Sequence, residues 1–332
     1  MTKVAMMGGG SWGTAFAAVL ADAGSQVTLW TRSEEIALDI NNSHRNSRYH
    51  PGVDLPKSIV ATTNPQTALE QAAIVVLAVP AQSLRGNLIE WAKWIAPDAL
   101  FVSLMKGIEL GTLMRMSEVI VETTGANPDR ISVVSGPNLA REIIARQPTA
   151  TTVAAPTEAG AIAIQRACTT DYFRPYWSTD VIGTEIGGAV KNVIALANGI
   201  AVGMGLGENS QSSLITRGLA EIGRLGVALG ADPLTFQGLA GVGDLVATCQ
   251  SPLSRNRTFG ENLGKGLTVE ETIAITNQTC EAYKSCQPIL ELAQNLGVEM
   301  PITHEVVEVL HHGKPPRELL KSFMARDTKS EI

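Results

Sequence analysis

The sequence predicts an α/β protein, in which a doubly wound parallel sheet is followed by an all-helical C-terminal domain. Three observations carry this prediction. Short apolar runs alternate with helical segments through the first half of the chain, and a glycine-rich turn follows the first run directly. Beyond about residue 183, helical periodicity replaces the strand pattern.

Eight apolar runs of five or six residues are the predicted strands. The first six alternate with helical or loop segments, which is typical of a parallel sheet with helices on both faces, and the last two are expected to extend that sheet. The runs are residues 3–7, 26–30, 58–62, 74–79, 100–105, 131–136, 151–155 and 172–177.

The second half of the chain shows helical periodicity and few strand candidates. We therefore expect a dinucleotide-binding sheet domain over residues 1–183 and a helical domain over residues 184–332. The main helical stretches are residues 183–204, 212–230, 268–277 and 286–297.

The composition excludes several classes of protein. A net charge of −6 and a pI near 5.5 disfavour broad nucleic-acid binding, although a local basic pocket would still hold a small anion. The four cysteines are widely spaced and form no zinc-type cluster, so we predict reduced thiols and no metal site. The N-terminus lacks an apolar signal segment, and the longest apolar run is about half of a membrane span. We expect a cytoplasmic protein without a membrane partner.

The glycine-rich turn reads Gly8-x-Gly10-x-x-Gly13 and lies between a strand and a helix, which is the context of a Rossmann-type dinucleotide site. Gly8 permits the tight turn, Gly10 lets the backbone approach a pyrophosphate, and Gly13 allows close packing of helix on strand. The helix N-terminus then presents free N–H groups to the anion. The alternative is a tight turn kept only for packing.

The end of the second predicted strand indicates which dinucleotide binds. NAD sites usually place an acidic residue there, whereas this chain has Thr31, Arg32 and Ser33. Because Arg32 can pair with a 2′-phosphate, we predict NADPH as the cofactor, with NADH possible. A solvated surface arginine is the alternative.

Three further segments carry candidate chemistry. Lys106 follows a predicted strand at the carboxyl edge, where open α/β sheets bind ligands. Another predicted strand ends in Ser135-Gly136-Pro137, a turn whose exposed N–H groups could hold an anion. Asp244 follows a glycine-rich turn, and Ser254-Arg255-Asn256 suits a phosphate at a helix start. The alternatives are a solvated loop lysine and ordinary helix caps.

Lys191 interrupts the apolar helical stretch "EIGGAVKNVIAL". At helical spacing, Gly187, Ala195 and Asn198 share its side and leave room for another group to approach. A partly buried lysine near other cations has a lowered pKa and can serve as a general base. The alternative is a lysine that snorkels to the rim.

These residues lie within strings that closely resemble the bacterial-type NAD(P)-dependent sn-glycerol-3-phosphate dehydrogenases. The resemblance runs in family order from residue 8 to about residue 260, and more weakly beyond. The matching strings are "GGGSWGTAFA", "SLMKGIE", "SGPNLARE", "EIGGAVKNVIALANGI", "LITRGLAEIGRLG", "GLAGVGDLVATC" and "SRNRTFG".

The resemblance implies reversible reduction of dihydroxyacetone phosphate to sn-glycerol 3-phosphate, which supplies phospholipid synthesis, at a site between a Rossmann domain and a helical domain. It also implies a homodimer. By position, Lys191 matches the proton acceptor, and Lys106 and Asp244 match substrate-side residues. The other implied substrate contacts are Gly136, Asn138, Ser254, Arg255 and Asn256. The implied cofactor contacts are Ser11, Trp12, Arg32, Tyr49, Lys106, Ala140, Arg255, Thr279 and Glu281.

Five positions depart from the family pattern. Asn138 and Leu139 stand where Ser or Thr followed by Phe is common, and Val202 stands where an acidic residue is frequent. Thr279 replaces an aliphatic residue, and Ser33 a second arginine. Asn138 can still donate and accept hydrogen bonds, so we expect activity to persist.

Two other functions remain open from the residues. A 3-hydroxyacid dehydrogenase of the 6-phosphogluconate type shares the pattern Gly187-x-x-x-Lys191, but requires Asn where this chain has Ala195. A dinucleotide-sensing module without turnover is the second alternative. The presence of Lys106, Lys191 and Asp244 together argues against it.

Overall fold

All eight predicted strands are present in one sheet. The computed structural model describes residues 1–276 and 280–319. Within these residues the strands begin and end within two residues of the predicted runs, because each is an apolar segment bounded by polar or turn residues. They are β1 (Lys3–Met7), β2 (Gln26–Trp30), β3 (Ile59–Thr62), β4 (Ile74–Leu77), β5 (Leu100–Ser103), β6 (Ile131–Ser135), β7 (Thr149–Ala154) and β8 (Phe173–Ser178).

The strand order is β3-β2-β1-β4-β5-β6-β7-β8. The first six strands are parallel, in the order of a doubly wound dinucleotide-binding sheet. The last two strands extend the sheet as expected, and the structure adds their directions: β7 is antiparallel to β6, whereas β8 is parallel to β7. The connection from Ser135 to Thr149 contains only the five-residue helix Ala140–Ile144, which is shorter than the strands and does not carry the chain back to the edge at which β6 begins. Strand β7 therefore begins at the side of the sheet where β6 ends, and it runs in the opposite direction.

Helices cover both faces of the sheet. Alternate residues of β1 belong to separate cores, with Val4 and Met6 on one face and Ala5 and Met7 on the other. The helices of this half are α1 (Ser11–Asp22), α2 (Glu34–Ser43), α3 (Pro65–Leu69), α4 (Leu84–Trp91), α5 (Met116–Thr124), α6 (Ala140–Ile144) and α7 (Glu158–Cys168).

The second half is helical throughout its described residues, as predicted. Its first helix begins at Val181, next to the domain boundary expected at residue 183, which stays a prediction. The helices are α8 (Val181–Gly203), α9 (Glu208–Ala228), α10 (Asp244–Gln250), α11 (Arg255–Gly264), α12 (Val269–Thr276), α13 (Glu281–Asn295) and α14 (Pro301–His311).

Helix α8 is the centre of the helical half. It is buried from Gly183 to Ala201 and packs against α9, α10, α11, α13 and α14. Among the described helices it alone is long and apolar enough to cross a membrane, but 89% of that apolar window is buried inside the fold. Its apolar character is therefore that of a core helix.

Candidate active site

The glycine turn has the shape that a dinucleotide pyrophosphate requires. A Cβ atom at Gly13 would lie 2.0 Å from the Gly8 carbonyl oxygen, so helix α1 packs against the strand end only without a side chain there. A Cβ at Gly10 would meet nothing within 4 Å, which leaves open space in front of the turn. These are the roles expected for the third and second glycines of the motif.

The start of α1 faces that open space. Gly10 is the N-cap and provides no side chain, so the first N–H groups of the helix remain available to an anion. Trp12, in the same turn, has a buried Nε1 atom with no hydrogen-bond partner among the described residues. An unpaired buried donor at this place fits a bound ligand.

Lys106 and Gly136 meet at the carboxyl edge of the sheet, as the strand ends predicted. Lys106 follows β5 and Gly136 follows β6, which pair side by side. The Lys106 Nζ atom donates to the Gly136 carbonyl oxygen at 3.3 Å. Asn138 lies beside them and has a buried Oδ1 atom without a partner in the described chain. This edge therefore offers one cation and one unfilled acceptor to a ligand.

Asp244 joins the two predicted lysines. It is the first residue of α10, after a π-helical turn over Leu239–Gly243, and its side chain is 1% exposed. Its Oδ2 accepts from Lys106 Nζ at 2.6 Å, and its Oδ1 accepts from Lys191 Nζ. A buried carboxylate between two ammonium groups holds both in fixed positions.

Lys191 is buried within the fold, with 6% of its surface exposed, so the snorkelling alternative is wrong. Its Nζ also donates to Thr248 Oγ1 at 2.7 Å. The glycines before it admit neighbouring groups. A Cβ at Gly187 would lie 2.4 Å from the Ala240 carbonyl oxygen, and one at Gly188 would lie 3.3 Å from Lys106 Cγ. The two lysines approach each other because these positions lack side chains.

The surroundings of Lys191 change its acidity. Burial lowers the pKa of its ammonium group from 10.5 to about 8. The Asp244 carboxylate opposes this shift in pKa, and the nearby Lys106 charge adds to it. A lysine with this pKa exchanges a proton near neutral pH, which suits a general acid or base.

The Ser254-Arg255-Asn256 segment begins α11, as predicted. Ser254 is the N-cap, and its hydroxyl accepts from the Arg257 N–H at 3.3 Å. Asn256 is buried and donates to Asn192 Oδ1 at 2.9 Å, while its own oxygen accepts from the Ala282 N–H. Asn192 in turn donates to Glu281 Oε2 at 3.0 Å. One polar chain thus links the start of α11, the Lys191 helix and the start of α13.

A cavity of about 150 Å³ between the sheet edge and the helical half is lined by eight of the predicted residues: Trp12, Lys106, Asn138, Lys191, Ser254, Arg255, Asn256 and Glu281. The sequence did not single out Thr248, although its position four residues after Asp244 puts both on one face of α10. The cavity is lined by Trp12, Leu104, Lys106, Asn138, Leu139, Lys191, Asn192, Thr248, Ser254, Arg255, Asn256 and Glu281.

Several predicted residues do not line this cavity: the cofactor contacts Gly8, Gly10, Ser11, Gly13, Arg32, Tyr49 and Ala140, and the substrate residues Gly136 and Asp244. Arg32 is exposed after β2, Tyr49 is half-buried after α2, and Ala140 begins α6. The roles of Arg32, Tyr49 and Ala140 as cofactor contacts stay predictions. Thr279 lies outside the described residues.

Both halves of the chain match known family models. Residues 3–161 match the N-terminal region of NAD-dependent glycerol-3-phosphate dehydrogenase, and residues 180–321 match its C-terminal region. The chain belongs to the NAD-dependent glycerol-3-phosphate dehydrogenase family.

Individual members of this family match over nearly the whole chain. Glycerol-3-phosphate dehydrogenase [NAD(P)+] of Streptomyces avermitilis is 61% identical over 329 residues, which cover 99% of this chain and 98% of the relative. The protein of that name from Corynebacterium glutamicum is 58% identical over 332 residues, 100% of each chain. The crystal structure of glycerol-3-phosphate dehydrogenase from Coxiella burnetii has a TM-score of 0.93 at 34% identity, covering 97% of this chain and 98% of that one. Membership of the glycerol-3-phosphate dehydrogenase family decides against a 3-hydroxyacid dehydrogenase.

Proposed function

We propose that this chain catalyses the reversible, NAD(P)H-dependent reduction of dihydroxyacetone phosphate to sn-glycerol 3-phosphate. The observation that carries the proposal is the placement of two lysines on one buried carboxylate, Asp244, in the cavity that Trp12 of the glycine turn also lines. Membership of the family supports the same reaction. In a cell the product would supply glycerophospholipid synthesis, and we place the enzyme in the cytoplasm as a homodimer.

The chain's own residues fit a nicotinamide dinucleotide. The open space before Gly10 and the uncapped first turn of α1 would hold the pyrophosphate, with Ser11 and Trp12 beside it. Arg32 would pair with the 2′-phosphate of NADPH. The bound cofactor supplies the hydride that reduces C2 of the substrate. The further proposed cofactor contacts are Tyr49, Lys106, Ala140, Arg255, Thr279 and Glu281.

Lys191 acts as the acid in the direction of reduction. Its ammonium group donates a proton to the oxygen on C2 as that oxygen becomes an alkoxide, and the neutral amine takes the proton back during oxidation. Lys106 polarises the carbonyl through its positive charge, since both lysines line the cavity. Asp244 and Thr248 hold the Lys191 Nζ atom in place.

The phosphate of the substrate binds at the start of α11. Arg255 supplies a charged fork, and Ser254 and Asn256 lie on either side of it at the helix N-terminus. Gly136 and Asn138 complete the pocket at the sheet edge. Binding energy from the phosphate, which does not react, would position C2 for the chemical step.

The proposal is tested with substrates that differ in one group. Dihydroxyacetone phosphate should oxidise NADPH rapidly, whereas dihydroxyacetone, which lacks the phosphate, should give a much lower kcat/KM. Equal kcat/KM for both compounds, measured from NADPH absorbance, would refute the assignment of a phosphorylated substrate.

The pKa of Lys191 gives the two directions opposite pH dependences. Reduction needs the ammonium form, so its kcat/KM should fall about tenfold per pH unit above a pKa of about 8. Oxidation needs the neutral amine and should rise with pH towards a plateau above that value. Initial rates in both directions from pH 6 to pH 10 check this. A reduction rate that stays constant across the range would contradict the role of Lys191.

Replacing Arg32 with alanine should separate the two cofactors. We expect the KM for NADPH to rise about tenfold, because a charge-assisted pair with the 2′-phosphate is lost, while the KM for NADH stays within about twofold. Steady-state kinetics with each cofactor measure this. Arg166→Ala, at an exposed arginine on α7, is the matched control. An equal rise in the KM for NADPH and the KM for NADH would show that Arg32 does not bind the 2′-phosphate.

A further inference from the structure

Two buried polar side chains from the loop after α2 form hydrogen bonds with the glycine turn and with the first turn of α1. The loop starts at His44, whose left-handed backbone ends α2. Within it, Asn46 is 0% exposed and His50 is 2% exposed. The Asn46 carbonyl oxygen accepts from the Tyr49 and His50 N–H groups, so this turn carries His50 back towards α1.

Asn46 binds the Gly9 carbonyl. Its Nδ2 atom donates to Gly9 O at 3.1 Å and to Thr14 Oγ1 at 2.9 Å, which uses both hydrogens of the amide. Its Oδ1 atom is buried and has no partner in residues 1–276 and 280–319. An unpaired buried oxygen is unfavourable, so it does not by itself favour this orientation of the amide. The side chain is therefore oriented only by the two N–H groups of its amide. One binds the Gly9 carbonyl, which precedes α1, and the other binds the Thr14 hydroxyl in the first turn of α1.

His50 binds the carbonyl of Ser11, two residues after Gly9. Its Nε2 atom lies 2.8 Å from the Ser11 carbonyl oxygen and 3.4 Å from the Ser11 hydroxyl. A carbonyl oxygen only accepts, so the Nε2–H tautomer donates. Burial lowers the pKa of His50 and favours this neutral form.

Holding these carbonyls fixes the direction of the N–H groups that follow them. In a trans peptide the C=O of one residue and the N–H of the next point in opposite directions. With the Gly9 carbonyl turned towards Asn46, the Gly10 N–H points to the other side. Ser11 is the first residue of α1, so the helix already directs its carbonyl, and the hydrogen bond from His50 adds to the restraint on that carbonyl and on the Trp12 N–H that follows it. A Cβ at Gly10 would meet nothing within 4 Å, so the approach to this part of the turn is open.

The glycine turn needs these hydrogen bonds because its sequence does not restrain the backbone conformation. Gly8, Gly9 and Gly10 are consecutive, and glycine rotates between conformations at little steric cost. A flipped Gly9–Gly10 peptide would direct a carbonyl oxygen at the pyrophosphate and repel it. We propose that Asn46 and His50 are positioning residues that hold the Gly10 and Trp12 N–H groups towards the cofactor pyrophosphate. This inference rests on the proposed function, because it assumes a dinucleotide at the turn.

The first experiment measures NADPH affinity of Asn46→Ala by titration. We expect the Kd for NADPH to rise about tenfold. Turnover at saturating NADPH and the KM for dihydroxyacetone phosphate should each change by less than about twofold. Adenosine 2′-monophosphate, which lacks the pyrophosphate, should bind with unchanged affinity.

Asn41→Ala is the matched control. Asn41 lies on α2 and also makes two side-chain hydrogen bonds, to the Ala61 carbonyl and N–H on β3. It should lower thermal stability without changing the Kd for NADPH. Unchanged NADPH affinity in Asn46→Ala, or an equal loss of affinity for NADPH and adenosine 2′-monophosphate, would overturn the inference.

A second pair of variants decides the matter if Asn46→Ala does not fold. His50→Leu removes the donor to Ser11 and should raise the Kd for NADPH several-fold, whereas His50→Gln retains an N–H donor and should stay within about twofold of wild type. Wild-type affinity in His50→Leu would refute the role of His50. A wild-type protein that binds neither NADPH nor NADH would refute the proposed function instead.

Discussion

Replacing Lys191 with alanine is expected to lower turnover about 10³-fold, because the proton for the substrate oxygen loses its donor. The Kd for NADPH should stay within about threefold, since the proposed pyrophosphate site at Gly10 is formed by other residues. The fold should persist, because Asp244 keeps Lys106 as a partner. Single-turnover kinetics and NADPH titration measure the two effects separately.

The control for this variant is Lys265→Ala. Lys265 is an exposed lysine at the end of α11 whose partner is Glu261, and its loss should leave turnover near the wild-type value. Lys191→Arg should also be inactive, since a guanidinium group does not release its proton at accessible pH. Turnover within about tenfold of wild type in Lys191→Ala would remove this residue from the chemistry.

Replacing Asp244 with asparagine should have the second largest effect. Two mostly buried ammonium groups would then share no counter-charge, and we expect a loss of about 3–5 kcal/mol in the free energy of unfolding. Without the carboxylate the pKa of Lys191 falls further, so the ammonium is scarcer at neutral pH. We expect turnover in the reductive direction to drop about 10²-fold and its pH optimum to move down.

The stability deficit of this variant should depend on pH with a definite sign. A lysine whose pKa is depressed in the folded state binds fewer protons there than in the unfolded chain, so stability rises with pH. The deficit relative to wild type should therefore be larger at pH 6 than at pH 9. Urea unfolding at both values measures it, with Asp171→Asn, at an exposed aspartate before β8, as the control. A deficit that grows with pH would contradict the pairing of Asp244 with buried cations.

The local pattern of the fold could be read from the sequence, but the direction of one strand could not. The apolar runs placed every strand, because burial on both faces requires them. The pattern of β7 gives no sign of direction, since a strand of either orientation has the same alternation of side chains. Its reversal accompanies a connection whose one helix, Ala140–Ile144, has five residues.

The residues of the site could be named separately, but their arrangement could not. Lys106, Lys191 and Asp244 each stood out as polar groups in glycine-rich or apolar surroundings. That one carboxylate binds both lysines depends on contacts across 138 and 53 residues, which no local pattern encodes. Asn46 and His50 lie in a polar loop, where burial is the informative signal and the sequence gives none.

The most direct test measures product and cofactor together in one reaction. Purified protein is mixed with NADPH and dihydroxyacetone phosphate, and the NADPH consumed is compared with the sn-glycerol 3-phosphate formed. We expect one molecule of product for each NADPH in the wild-type protein and none above background in Lys191→Ala. NADPH that binds without being oxidised, or is oxidised without formation of sn-glycerol 3-phosphate, would contradict the proposed reaction.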